Sequence, residues 1–284
     1  MSITAPAHRR TDREFAFDDR DFRDLAKLVR AQTGIVLSDA KRELVYGRLA
    51  RRLRALGLES FSAYRSLLAG PEGPLEMGRM INAVTTNLTS FFREPHHFEF
   101  LAANVLKPAQ AAGARPKRLR IWSAGCSSGE EPYSIAMTLR ATIADLDRWD
   151  ALILATDIDT DMVASGAEGI YAEGRDDGVP NAYRSRFVER LPDGRAAMSD
   201  TLRSLIRFKQ LNLMEDWPMR GPFDVIFCRN VVIYFDKPTQ SRLFDRFADL
   251  LTPDGWLIVG HSESLFRVTE RFKPVGRTIY QRIS

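Results

Sequence analysis

Glu130 and Glu131 stand in "IWSAGCSSGEEPYSIAM" (121–137), after an apolar run and a small-residue turn, at the head of a helical segment. In nucleotide-binding folds such a helix start recruits phosphate through its free N–H groups and the positive end of the helix dipole. Two carboxylates there repel a pyrophosphate and attract a ligand that carries positive charge. S-adenosylmethionine, with a sulfonium, an ammonium and no phosphate, meets that requirement. Gly125 and Gly129 suit a tight turn and close backbone approach, but their spacing is not G-x-G-x-x-G, so the dinucleotide fingerprint is absent. The alternative for the glutamates is capping, since the dipole favours acids in a first turn and Ser128-x-x-Glu131 spells a capping box. Pro132 fits best at the first helical position, which puts Glu131 at the cap and leaves the box unformed. A second acidic group follows in "ATDIDTDM" (155–162). Asp157, the first carboxylate past that apolar run, is placed to accept hydrogen bonds from ribose hydroxyls, and Asp159 to cap the next helix.

These groups need a scaffold, and the pattern after about residue 115 supplies one. "KRLRIWSAG", "ALILATDID", "FDVIFCRN" and "GWLIVGHS" are short, nearly all-apolar runs that predict strands buried on both faces of a parallel sheet. Segments of helical period lie between them, as at Ile135, Leu139, Ile143 and Leu146. The alternation predicts an α/β doubly wound fold, in which ligands bind at the carboxyl ends of the strands. "FKPVGRTIYQRI" (272–283) predicts an edge strand. The stretch 186–212 breaks the alternation with short strand-like runs around Pro192-Asp193-Gly194, and predicts a small antiparallel β insertion at about 185–210.

The first part of the chain reads as helical. Phe22, Leu25, Leu28 and Val29 recur at 3–4 spacing, with Gly34 as C-cap. A second helix spans 39–56, with Ser38 or Asp39 as N-cap and Gly57 beyond its end. Its Leu44, Val45, Leu49, Leu53 and Leu56 form one stripe, with Arg48, Arg51 and Arg54 on the far side. "SFSAYRSLLAG" predicts a third helix, and a fourth begins at "LEMGRMINAV". The expected organisation is a mobile N-terminus (1–15), a helical domain and linker (16–90), and an α/β catalytic domain (91–284).

The 284 residues, 44% hydrophobic and 27% charged, suit a soluble globular chain of one or two domains. No apolar run reaches membrane-spanning length, and "MSITAPAHRRTDREF" lacks the apolar core of a secretory signal. With two cysteines, Cys126 and Cys228, a reduced cytoplasmic setting is expected. The net charge is +4, and Lys41–Arg54 alone holds six basic residues against Glu43. Such a local excess suits a docking face for an acidic partner. Nucleic acid is disfavoured as that partner: no aromatics interleave with Arg48, Arg51 and Arg54 as stacking platforms, and "CRNVVIYF" is not the loop of base-methylating enzymes. A non-catalytic ligand-binding scaffold is the rival of an enzyme, and a nicotinamide oxidoreductase is a poor fit to the acidic loop. His96 and His97 suggest a metal, but adjacent histidines do not share a helix face and no Cys/His set completes a site, so no metal is expected.

In order, "TTNLTSFFREPHHF" (85–98), "WSAGCSSGEEPYSIA" (122–136), "ATDID" (155–159), "GPFDVIFCRNVVIYFD" (221–236) and "GHSES" (260–264) resemble the chemotaxis receptor methyltransferases, the CheR family. The resemblance implies an all-α N-terminal domain joined to a Rossmann-like S-adenosylmethionine-dependent methyltransferase domain. It implies methylation of glutamate side chains on cytoplasmic chemoreceptor domains, giving methyl esters and S-adenosylhomocysteine, for adaptation in chemotaxis. A cytoplasmic monomer without membrane insertion is expected. The resemblance assigns cofactor contacts to Asn87, Thr89, Arg93, Glu131, Asp157, Asn212, Leu213, Arg229 and Asn230, and places Tyr234 near the transferred methyl. Arg93 and Tyr234 are the expected catalytic residues, with Arg93 holding either a substrate oxygen or the cofactor's carboxylate. Arg48, Arg51 and Arg54 are the expected receptor-docking residues. The insertion, short and with one glycine, is expected not to bind a receptor tether peptide. A glutamate acceptor is ionised at neutral pH and needs no general base, so the absence of a Ser/His/Asp or Cys/His set is consistent with this chemistry. What it needs is alignment of the reacting atoms at about 3–3.5 Å.

Overall fold

The computed structural model describes residues 13–111 and 117–284. The chain forms two compact units. The first runs to Ala31 and resumes from Leu37 to Val84; the second comprises Gln32–Val36 and Thr85–Ser284. Residues 85–90, which the sequence groups with the helical part, and the stretch 32–36 thus fall in the second unit.

The first unit holds helices α1 (Asp19–Thr33, its last two residues counted with the second unit), α2 (Arg42–Leu56), α3 (Phe61–Ala69) and α4 (Gly73–Val84). Phe22, Leu25 and Val29 of α1 are buried, and Gly34 follows the helix at φ +73°. A 3-10 turn at Asp39–Lys41 precedes α2, so that helix proper starts three residues later than expected. Gly57 ends it in the left-handed conformation, its N–H on the Arg54 carbonyl (3.1 Å). The buried stripe of α2 is Val45, Leu49, Ala50 and Leu53, whereas Leu44 is exposed and Leu56 partly so. The expected all-outward arginine face is corrected as well. Arg51 and Arg54 are exposed, but Arg48 is half-buried and donates to the Val84 carbonyl (3.0 Å). Arg54 pairs with Glu14 (3.0 Å). Of the expected mobile N-terminus, residues 1–12 lie outside the described residues. Arg13–Phe15 are anchored: Arg13 pairs with Glu43, and buried Phe15 meets Phe61 edge-on.

The second unit contains strands β1 (Arg118–Ala124), β2 (Asp150–Asp157), β3 (Ile170–Tyr171), β4 (Val188–Arg190), β5 (Ala196–Met198), β6 (Ile206–Gln210), β7 (Phe223–Cys228), β8 (Leu251–Val259), β9 (Phe272–Gly276) and β10 (Ile279–Arg282). The main sheet has the order β6-β2-β1-β7-β8-β10-β9. Its first five strands are parallel, and β10 and β9 add antiparallel, so the expected edge strand is a hairpin of two. Alternate residues of the inner strands face opposite sides: Ile121, Val225 and Phe227 pack in one core cluster, Trp122, Ile226 and Cys228 in the other. Both faces are covered, which is why these strands read as continuous apolar runs. The two cysteines fall in different clusters, buried and free.

The expected insertion is real but differently bounded. A three-stranded antiparallel sheet, β3-β5-β4, reaches back to Ile170, and the turn at Pro192-Asp193-Gly194 joins β4 to β5. Ile206–Gln210, expected inside the insertion, pairs parallel with β2 in the main sheet. Buried Ile206 and the Phe208 ring, against which Gly166 packs too closely for a Cβ, hold it there.

The helices of this unit are α5 (His96–Phe100), α6 (Lys107–Ala111), α7 (Glu130–Thr142), α8 (Thr160–Glu168), α9 (Asn181–Phe187), α10 (Asp200–Arg203) and α11 (Lys237–Leu250), with π-helix Leu101–Leu106 between α5 and α6. Strand order reverses between β1 and β7, which places a crevice between the loops leaving those two strands.

Candidate functional site

The two loops at the crevice touch through glycine. Gly125 sits at φ +91°, and a Cβ there would overlap the Val231 side chain from the loop after β7. The first loop continues through Ser127 at φ +49° and Gly129 at φ +99°. Left-handed backbone is costly for serine, and Ser127 is held in it from two directions. Its N–H donates to Asp157 Oδ2 (2.8 Å) and its hydroxyl to the Asn87 carbonyl (2.9 Å). The loop after β1 is thereby fastened both to the end of β2 and to the segment 85–94.

Asp157 is 9% exposed, and its Oδ1 accepts the Asp159 N–H (3.0 Å). These backbone donors leave the carboxylate with further lone-pair capacity. Burial pushes this carboxyl above its ordinary value, opposed by the N–H groups of Asp159 and Ser127. Asp159 caps α8, its Oδ1 accepting from Asp161 and Met162, and its Oδ2 takes the Thr85 hydroxyl (2.8 Å) and the Asn87 amide (2.7 Å).

Helix α7 begins at Glu130 with Gly129 as N-cap, so Pro132 stands at the third position and not, as expected, the first. The first four N–H groups of a helix have no acceptor within it, so proline loses nothing at either place. The capping box does not form; the Ser128 hydroxyl donates to Glu130 Oε2 (2.7 Å). Glu130 is fully buried and pairs with Arg175 (2.5 Å). Glu131, 8% exposed, takes the Ser123 hydroxyl on one oxygen (2.7 Å) and Arg229 Nη1 on the other (3.0 Å). Burial raises the Glu131 carboxyl, while Arg229 and Ser123 pull it down. Both glutamates therefore already face an arginine, which offsets the attraction for a cationic ligand expected of them. Asp157, like Asp159 beside it, has no ion-pair partner among the described residues, and its carboxylate is met by neutral backbone donors.

Arg229 is a hub. Its Nη2 donates to the Arg93 carbonyl and lies 3.5 Å from Glu94, and its guanidinium stands 5.7 Å from the Phe98 ring. Arg93 itself is half-buried and donates to the Leu88 carbonyl (3.0 Å). Its neighbours Phe92 and Glu94 both have positive φ, and the Phe92 N–H docks on the Ser134 hydroxyl of α7 (2.9 Å). Thr89 is half-buried in the same segment. After β7, Asn230 adopts φ +59° and Tyr234 ends a 3-10 turn, its hydroxyl 3.5 Å from the Thr86 carbonyl.

Hydrogen bonds tie Asn87 to Asp159 and Ser127, Arg229 to Glu131 and Arg93, and Tyr234 to Thr86, so these residues, with Asp157 and Asn230, stand on the segment 85–94 and at the ends of β1, β2 and β7. Asn212 and Leu213 follow β6, where the Leu211 N–H donates to the Asp157 carbonyl (2.9 Å). Their side chains are engaged elsewhere: the Asn212 amide donates to the Gln32 carbonyl (2.6 Å) and to Glu215 (3.0 Å), and Leu213 packs in the second core cluster. Sequence reasoning assigned no role to Ser123, Ser127 or Glu94; a serine inside an apolar strand was the local signal for the first.

The histidines also differ from expectation. Their rings lie 4.1 Å apart, and Glu94, His96 and His97 bring possible ligand atoms within 4.8 Å of one another. His97 is engaged through Nε2 with the Thr278 hydroxyl (2.9 Å), and burial beside Arg229 lowers its pKa to about 3.

The crevice wall is a set of acceptors, with Asp157 foremost, and the arginines found at the α7 N-terminus among the described residues, Arg175 and Arg229, are paired with Glu130 and Glu131. That set fits a ligand presenting hydroxyl and ammonium donors, as S-adenosylmethionine does, and opposes a pyrophosphate.

Residues 20–85 match the family model of the CheR methyltransferase all-alpha domain, and residues 87–281 that of the CheR methyltransferase SAM binding domain. The chain is similar to chemotaxis protein methyltransferase 2 of Pseudomonas aeruginosa, with 42% identity over 284 residues and 99% of each chain covered. It is similar also to the chemotaxis protein methyltransferases of Salmonella typhimurium and Escherichia coli, each 42% identical over 270 residues, covering 93% of this chain and 91% of theirs.

Proposed function

We propose, from the premise that this chain belongs to the CheR methyltransferase family of S-adenosylmethionine-dependent enzymes, that it methylates glutamate side chains on the cytoplasmic domains of chemoreceptors. The bound cofactor supplies a methyl group on a sulfonium, ready for transfer to a carboxylate oxygen. Asp157 accepts hydrogen bonds from ribose hydroxyls, and Glu131 orients Arg229. Asn87, Thr89 and Asn230 line the cofactor's path, and Asn212 and Leu213 contribute backbone. Arg93, from the segment 85–94, and Tyr234, from the loop after β7, donate to carboxylate oxygens and aim the acceptor.

The observation that carries this reading is the division of labour in the crevice: its acids are buried and bonded, while its outer donors are an arginine and a phenol. A carboxylate acceptor fits such an opening and requires no base. A non-catalytic scaffold would have no use for those two donors. Arg51 and Arg54, exposed on α2, form the face offered to acidic receptor helices. No helix among the described residues is long and apolar enough to cross a membrane. The short β4–β5 hairpin favours methylation without a receptor tether peptide.

The test is transfer of labelled methyl from S-adenosylmethionine to receptor-rich membranes, followed by mild base. Release of labelled methanol is expected, because a carboxyl methyl ester hydrolyses under those conditions. A base-stable label rejects the glutamate reading.

A further inference from the structure

Glu263, in the "GHSES" stretch, lies outside the crevice yet is bonded to the loop that forms one wall of it. It is buried, and its carboxylate takes backbone N–H groups from two places. Oε2 accepts from Asn230 (2.8 Å) and from Gly260 at the end of β8 (2.6 Å), and Oε1 accepts from Ile233 (3.3 Å). The Val231 N–H adds to this set. Asn230 at φ +59° ends the β7 ladder, so these N–H groups have no strand partner, and a buried donor left unpaired is costly. The carbonyl side of the same loop is met by Gln240, whose amide donates to Val232 (2.8 Å) and Phe235 (3.1 Å). Gly260 completes the fit: a Cβ there would stand 2.5 Å from Asn230 Nδ2. A loop with this many fixed points has few alternative conformations, and Arg229, Asn230 and Tyr234 are all mounted on it.

We propose that Glu263 is a positioning residue for methyl transfer, clamping the 229–234 loop to the end of β8 so that Asn230 and Tyr234 keep their places at the crevice. The catalytic part of this inference rests on the roles given above to those residues; the clamp itself does not. A carboxylate suits the task because it offers acceptors only, whereas an amide turns a donor toward one of the N–H groups.

Glu263→Gln in the full chain tests it with three readouts. Amide hydrogen exchange at Asn230 and Ile233 should quicken about tenfold or more, since charge-assisted bonds are the ones removed. Turnover on receptor membranes should fall by about 10²-fold, the cost of a misplacement on the order of 1 Å, and by more than S-adenosylhomocysteine affinity falls. In a Tyr234→Phe background the same substitution should cost turnover much less, because both changes act through one loop. Unchanged exchange overturns the clamp. Faster exchange with turnover within about twofold of wild type, or an undiminished loss in the Tyr234→Phe background, overturns the positioning role. Should the glutamine variant fail to fold, Glu263→Asp keeps the charge but is one methylene short, and intermediate exchange and turnover are expected of it. If wild-type enzyme does not methylate receptors, the substrate reading fails while the exchange result still decides the clamp.

Discussion

Glu76 in the helical unit and Glu131 in the α/β unit are built alike: a buried glutamate, an arginine and a hydroxyl. Glu76, 3% exposed, receives Arg52 through Nε (2.9 Å) and Nη2 (2.6 Å), and the Tyr64 hydroxyl (2.9 Å). The pairing raises the Arg52 guanidinium above its ordinary value, and burial raises the Tyr64 phenol. Glu131 receives only one nitrogen of Arg229, whose other end is divided between the Arg93 carbonyl and Glu94, and Arg229 Nε has no hydrogen-bond partner among the described residues. The first arrangement is two-pronged and closed, and it joins α2 to α4. The second is incomplete and branches toward groups that line the crevice. The same residue types thus act as a fastener in one unit and as a distributor of polar contacts in the other.

The comparison is most exposed at Arg52. Arg52→Ala strands a buried carboxylate and should destabilise the protein by about 3 kcal/mol, read by denaturant unfolding. The folded fraction should bind S-adenosylhomocysteine within about twofold of wild type. A tenfold loss of affinity would dissolve the distinction between the two clusters. Glu131→Gln should show the reverse: about tenfold weaker S-adenosylhomocysteine binding by calorimetry, with only about 1 kcal/mol of stability lost.

Acid sharpens the same contrast. Burial raises Glu131 and Asp157 above ordinary values of 4.5 and 3.8, so as pH falls the folded chain takes up these protons before the unfolded one. Between the ordinary and the raised values their contribution to stability therefore increases on acidification, while S-adenosylhomocysteine affinity declines as the acceptors are neutralised. Asp157→Asn should bind more weakly and titrate less. His97 acts in the opposite sense: lowered from 6.5 to about 3, it takes stability away as pH drops through that interval, and His97→Gln should flatten that slope. The smallest change in stability is expected at exposed Arg51. Arg51→Glu should leave unfolding within about 0.5 kcal/mol of wild type, and slow receptor methylation most at low ionic strength.

Much of this arrangement was legible beforehand, and for physical reasons. Strands buried on two faces write themselves as apolar runs, and Asp157 follows one of them directly. Gly57, which must turn left-handed, marks a helix end. Ile206–Gln210 was misassigned because an edge strand is covered less fully and reads as amphipathic. Pro132 misled because several positions in a first helical turn tolerate it. The charge clusters were beyond the reach of local pattern. Glu76 meets Arg52 across 24 residues and Arg229 meets Glu131 across 98, and no spacing rule encodes such pairs. His96 and His97 stand with ring centroids 4.1 Å apart, a juxtaposition that helical periodicity does not anticipate.

Because Gln32–Val36 belong to the second unit, the backbone passes between the units three times. Deleting everything before residue 85 would amputate part of what it was meant to spare. The Tyr234 carbonyl would lose the Val36 N–H (2.9 Å), the Asn212 amide would lose the Gln32 carbonyl, and Met214 and Phe235 would be stripped of Gly34. A fragment cut there is a wounded enzyme and not a minimal one. Any graft of the catalytic half onto a new carrier has to bring that short stretch along.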